Sequence, residues 1–421
     1  MEERALIARL HRRAGFGLTG AELDAAVAAG LTAEVARLVR PDGAGAAAAA
    51  DPFTGLELGF EKGQARSRLV GAADAWLTRM VTTPRPGIER LAWFWHGHLV
   101  SAAPKVKSPA LLAEQVRLLG RLGGGSFPAL VTAITTDPAM LAYLDGSGSS
   151  GAEPNENYGR ELMELFTLGR TAGYTEADVQ VAARALTGYV VRGRLEEHPK
   201  VAFVARDHDD APRTLVGLGG VHDVDTVVAA VTGHPACAPY VAGRLARTVL
   251  GPDVGGDVIA RLADRFRTSG LDVTALFEAT VQELAAGTGG GPVVLAPVPW
   301  LVMAEKACGV RLTARARMAG LRAAGQVPFL APNVAGWPSG EAWFSSAAVV
   351  ARFGLASAVA DSVAADHAAL AAAGAADSAA LAAALGLGVP FGADTVRDLA
   401  AVREPRARLV VALTAPDFVL A

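Results

Sequence analysis

The sequence predicts a mainly α fold: a multi-helical, two-lobed bundle with a small antiparallel β ribbon near residues 188–217. Three observations predict it. Apolar residues make up 51% of the chain, largely through alanine, a strong helix former. The length of 421 residues exceeds the ~250–300 at which single cores stop growing, which calls for two lobes. Between Gly188 and Gly220 the apolar period changes to that of short strands. The expected division is an N-terminal helical lobe over 1–187, a β insert over 188–220 and a C-terminal helical lobe over 221–421.

The N-terminal helix ends in His11-Arg12-Arg13-Ala14-Gly15-Phe16-Gly17, and Thr19 caps the next, over 21–29. Arg12 and Arg13 read as braces for a helix C-terminus, with anion binding as the alternative. Residues 41–63 read as a loose connection. The stretch Trp93-Phe94-Trp95-His96-Gly97-His98 sets two imidazoles among aromatic rings. On a helix, His96 and His98 point about 200° apart, so they share a site only if Gly97 ends the helix.

A helix over 109–122 follows, then one over 127–144 interrupted at Asp137-Pro138. The loop Asp145-Gly146-Ser147-Gly148-Ser149-Ser150-Gly151 lacks P-loop spacing and reads as a flexible loop or lid. It feeds a helix with Asn155 as N-cap and Gly169 as stop. Leu162, Leu165, Phe166 and Gly169 share a core-facing side. Asn157, Glu161, Glu164 and Leu168 share another, and Arg160 stands four residues from both Glu156 and Glu164.

Thr175 and Asp178 form a capping box. Strands are expected at 189–192, 201–204 and 214–216, with Arg206-Asp207-His208-Asp209-Asp210 as a polar hairpin tip or a second arm of the site. Helices follow over 225–232, 239–250, 258–268, 273–286 and 315–325. The Pro/Gly/Trp loop 325–343, with Gln326, Asn333 and Trp337, reads as an ordered wall of a pocket. Residues 346–421 read as packing helices.

A net charge of -3 gives no reason to expect a nucleic-acid partner. No apolar run reaches the ~18 residues of a membrane span. Cys237 and Cys308 are too few for a disulfide framework. The opening residues lack a signal-peptide layout, so the expected compartment is the cytoplasm.

Several segments together resemble the bacterial DUF1800 family, a domain of unknown function. They are Arg12 to Gly17, Phe94 to His98, Asp137 to Leu141, Pro154 to Gly169, Ala185 to Gly188, His208-Asp209 and Pro332 to Trp337. The resemblance supplies no reaction, so chemistry is argued from residues. The first reading is a metal-assisted hydrolase. His96, His98, Glu161 and His208 would hold a divalent Zn, Mn or Fe ion, and Glu164, Asp209 and Arg160 would act on the substrate. Asn157, Gln326, Asn333 and Trp337 would bind a small-molecule or glycan substrate. The alternatives are a metal-free paired-carboxylate enzyme of glycosidase type and a non-catalytic scaffold or binding protein with a buried polar network.

Overall fold

The computed structural model describes residues 2–40, 50–59, 61–193 and 200–421. Part of the 41–63 connection and the tip between the first two strands lie outside them. Helices dominate, and many start where the capping residues predict. Thr19 and Thr175 both close capping boxes, and the helix Pro109–Leu122 has the expected bounds, with Ser108 at its N-cap. Asp137 divides the next pair: Phe127–Thr135 ends before it, and its carboxylate caps Pro138–Tyr143 by accepting from the Met140 N–H.

Two large apolar clusters hold the molecule. One gathers Trp76, Trp93, Trp300, Phe329, Leu355 and Leu413. The other gathers Trp95, Phe127, Phe166, Leu245, Phe266 and Phe277. Each draws on residues from both halves of the chain. The helix Pro86–His98 runs between them, giving Trp93 to the first and Trp95 to the second. That is the divergence expected of positions two apart on a helix.

Polar pairs lock the packing. Arg317 and Glu305, both buried, meet at 2.6 Å, and Arg317 also reaches Asp74 at 2.8 Å. This ties the helices Ala65–Thr82, Pro297–Ala307 and Ala314–Ala323 together. Arg13 donates to the carbonyl of Leu250, the C-cap of helix Cys237–Val249. Arg12 donates to those of Phe418 and Leu420, at the end of helix Pro416–Val419. The paired arginines therefore brace helix C-termini, as the sequence suggests.

The β region departs from the single ribbon expected. Strand β1 (Tyr189–Arg192) pairs antiparallel with β2 (Lys200–Phe203), and β3 (Arg213–Leu215) pairs antiparallel with β4 (Leu218–Val221). Val216 and Gly217 both take positive φ, so β3 turns tightly back onto β4 and forms its own ribbon. No described helix is long and apolar enough to cross a membrane.

Candidate functional site

The segment after Asn155 is one rod wound in two ways. Asn155 accepts from the Asn157 N–H and starts an α-helical turn over Glu156–Glu161. Leu162–Thr167 then winds as a π-helix, with the Leu168 N–H bonded to the Met163 carbonyl. The wider turn resets the faces. Leu168, expected on the polar side, is buried beside Leu162 and Phe166, and Leu165 is only half-buried.

Two side chains close the end of this π segment. Tyr240 donates its hydroxyl to the Leu165 carbonyl at 2.8 Å, and His98 Nε2 lies 2.9 Å from the Phe166 carbonyl. A carbonyl only accepts, so His98 must carry its proton on Nε2. Gly169 follows at φ +82, and a Cβ there would meet the Tyr240 ring at 2.7 Å. Gly159, earlier in the segment, lets the rod press against helix Glu176–Ala185, where a Cβ would stand 3.1 Å from backbone atoms.

The structure does not bring the two histidines together. The helix continues through Gly97 to His98, so His96 turns to the opposite side. His96 packs among Trp76, Trp93, Phe329 and Trp337, and its Nε2 accepts from the Phe329 N–H at 3.1 Å. His98 packs against Phe94, Trp95 and Tyr240. Burial pushes both imidazoles down to about 3, so both are neutral packing groups at ordinary pH.

His208 and Asp209 are likewise held by partners of their own. His208 Nδ1 lies 3.0 Å from the Thr187 carbonyl and therefore donates to it, while Phe203 meets its ring edge-on. Asp209 is bonded by Arg213 and Arg184, and chiefly through Arg213 its carboxyl falls to about 2. Among the described residues no three His, Cys, Asp or Glu side chains form a set able to hold a metal ion. His96, His98, Glu161 and His208 therefore do not assemble the predicted centre. Each imidazole is engaged by its own stretch of backbone.

The predicted pocket wall is also structural. Gln326 is buried, and its Oε1 accepts from the Val298 N–H at the start of helix Pro297–Ala307. Asn333 caps its own turn by accepting from the Ala335 N–H. Trp337 stacks on Trp93, with ring centroids 5.4 Å apart. A concavity of about 170 Å³, bordered by Leu381, Val396 and Arg408, includes none of the candidate residues. The loop at 145–151 is tied down rather than loose. Gly148 donates to the Tyr189 carbonyl, Gly151 to that of Asp207, and Ser149 accepts from Gly188.

What remains open is a seam of polar side chains. Asn157 is exposed, and its side chain has no partner among the described residues. Glu161 is half-buried and likewise makes no hydrogen bond or ion pair there. Burial, then the neighbouring Glu164, raises its carboxyl above the usual range. Glu164 is paired with Arg170 at 2.6 Å. Arg160, expected to brace Glu156 or Glu164, does keep Glu156 in a loose ion pair at 3.8 Å, but its main grip is on Glu176, with two bonds of 2.7 and 2.6 Å. Tyr143 and Tyr174 stand close enough for Glu161 and Glu164 to raise their hydroxyl pKa values, after burial itself.

Sequence reasoning missed several groups behind the seam. Asp137 is buried and bonded by Gln115, which also donates to Ser101. Burial holds the Asp137 carboxyl up at about 7. The Asp-Pro pair signalled an interruption of the helix, but no local pattern announces Gln115 or Ser101 as its partners.

Fold and site together define a helical protein whose polar segment is partly helix-end closure and partly open surface. The family described as a protein of unknown function, DUF1800, matches residues 9–420, and the chain belongs to that family. No curated protein and no solved structure matches it.

Proposed function

We propose that this protein is a binding protein that takes a small polar molecule or the end of a glycan at the seam formed by Asn157, Glu161 and Glu164. One observation carries this reading. Glu161 keeps a half-buried carboxylate without any hydrogen-bond or ion-pair partner among the described residues, while the charged neighbours Arg160 and Glu164 are paired with Glu176 and Arg170. A partly dehydrated carboxylate beside an amide and two tyrosines offers acceptors, donors and flat apolar surface, which suits hydroxyl-rich ligands.

The expected metal-assisted hydrolysis loses its support because His96, His98 and His208 are each held by backbone elsewhere, and among the described residues no three His, Cys, Asp or Glu side chains form a set able to hold a metal ion. The metal-free paired-carboxylate reading keeps one observation in its favour. Glu161 is driven toward holding its proton, and Glu164 is held beside the Arg170 guanidinium. Different environments for two carboxyls are how acid and base roles are separated.

The test is calorimetric titration and thermal shift with a panel of mono- and oligosaccharides, alongside turnover of activated aryl glycosides. A ligand that stabilises the wild type and loses its effect in Glu161→Gln, with the unliganded melting temperature unchanged, supports binding. Turnover lost in both Glu161→Gln and Glu164→Gln establishes the catalytic reading. A sharp fall in melting temperature in Glu161→Gln without ligand overturns both, since the residue would then be a structural strut.

A further inference from the structure

Half of the large apolar side chains exposed on the described surface gather on one helix and the turn leading into it. Phe344 is 46% exposed, Val349 46%, Val350 71% and Phe353 55%. They belong to the short 3-10 turn Gly340–Phe344 and to helix Ser346–Ser362. The inner side of that helix is already used, with Leu355, Ala356, Val359 and Ala360 buried in the first apolar cluster. The helix is thus apolar on both sides, whereas a surface helix normally turns charged residues outward.

Charge narrows the occupant. From Ser345 to Ala360 the only ionisable residue is Arg352. Its side chain is buried, lies over the Trp300 ring and donates to the Leu295 carbonyl. The middle of the outward face therefore carries no charge, and the exposed carboxylates Glu341 and Asp361 stand at its two ends. Helices that lie on membranes carry Lys or Arg along their polar flank, and none is present on this stretch. A two-fold contact sets one patch against its own copy, where like charges at the centre would repel, so an uncharged centre with its carboxylates at the ends suits self-association.

Area agrees. A half-exposed phenylalanine presents on the order of 100 Å². With the two valines the patch reaches roughly 300–400 Å², the size of the largest apolar patch on an ordinary chain and one that is often functional. A standard interface takes about 800 Å² from each partner and keeps its apolar part at the centre. Ala347, Val350 and Gly354, at i, i+3 and i+7, add a narrow strip along which two helices come close. We propose that the exposed face of helix Ser346–Ser362, with Phe344, is the two-fold interface through which two copies of this chain form a dimer.

Light scattering after size exclusion, over a wide dilution series, tests this. The wild type is expected at twice the 43.1 kDa chain mass, dissociating on dilution. Val350→Glu and Phe353→Glu are each expected to weaken association at least about thirtyfold, the loss of one central contact. Their melting temperatures as monomers should be unchanged, since both side chains point outward. Val350→Cys supplies an independent readout. Cys237 and Cys308 are both buried, so the new thiol is the accessible one, and a disulfide-linked dimer under mild oxidation is expected. A wild type of single-chain mass at every concentration overturns the proposal, as does a doubled mass that survives Val350→Glu. Co-sedimentation of the monomer with phosphatidylcholine vesicles, lost in Val350→Glu, would assign the face to a membrane and overturn it equally.

Discussion

Replacing His98 by glutamine tests whether this imidazole is the neutral closure of the π segment. Glutamine places an amide donor near the position of Nε2, so the bond to the Phe166 carbonyl survives, while the titrating group disappears. In the folded state His98 stays neutral until about pH 3, against an ordinary value of 6.5. Between those values the unfolded chain binds one proton more than the folded one, so stability is full above pH 6.5 and falls as pH falls. The slope is about 1.4 kcal/mol per pH unit, which makes about 2 kcal/mol at pH 5. Asp137 slopes the other way. Its carboxyl, raised to about 7, keeps its proton in the folded state where the unfolded chain has lost it, so its contribution falls as pH rises toward 7. Both proteins carry Asp137, so its effect cancels in their difference. Urea unfolding from pH 8 to pH 5 should show the variant weaker by about 1–2 kcal/mol at pH 8, because the ring no longer packs on Phe94 and Trp95. That gap should close or invert at pH 5. A gap that stays constant across this range would mean that His98 accepts a proton in the folded state, and the closure argument would fall.

Two further substitutions probe the framework. Gly169→Ala meets both a positive φ and the Tyr240 ring, and should lower stability by about 1–3 kcal/mol in chemical denaturation. Glu305→Gln leaves the Arg317 guanidinium buried with only its Asp74 pair, and should cost about 3–5 kcal/mol by the same assay, well beyond the effect of any surface glutamate.

The helix starts were legible because capping is local: Thr19 and Thr175 sit where their hydroxyls reach the first free N–H groups, and Asn155 offers its side-chain oxygen in the same way. The divergence of His96 and His98 followed from helical period alone, but that period did not say whether Gly97 ended the helix. Gly97 stays helical, and it is Gly336, at φ +88, whose missing Cβ lets the loop 325–343 come down on the Gly97 carbonyl. The π winding was not legible. Its end is stabilised by Tyr240 and His98, which lie far away in sequence, and no short-range spacing reports them. Polar residues of this segment looked catalytic for a related reason. A side chain that closes a helix end and one that serves a reaction draw on the same donors and acceptors, and only the partner tells them apart. Asn157 and Glu161 keep their candidacy because no such partner claims them among the described residues.

The change of winding at Leu162 also governs which mutations this rod can absorb. A substitution there alters one contact, but inserting or deleting a single residue would rotate every side chain beyond it, exchanging Leu168 and Phe166 for polar neighbours in the core. Chain length between Asn155 and Gly169 is therefore held more tightly than residue identity along most of it.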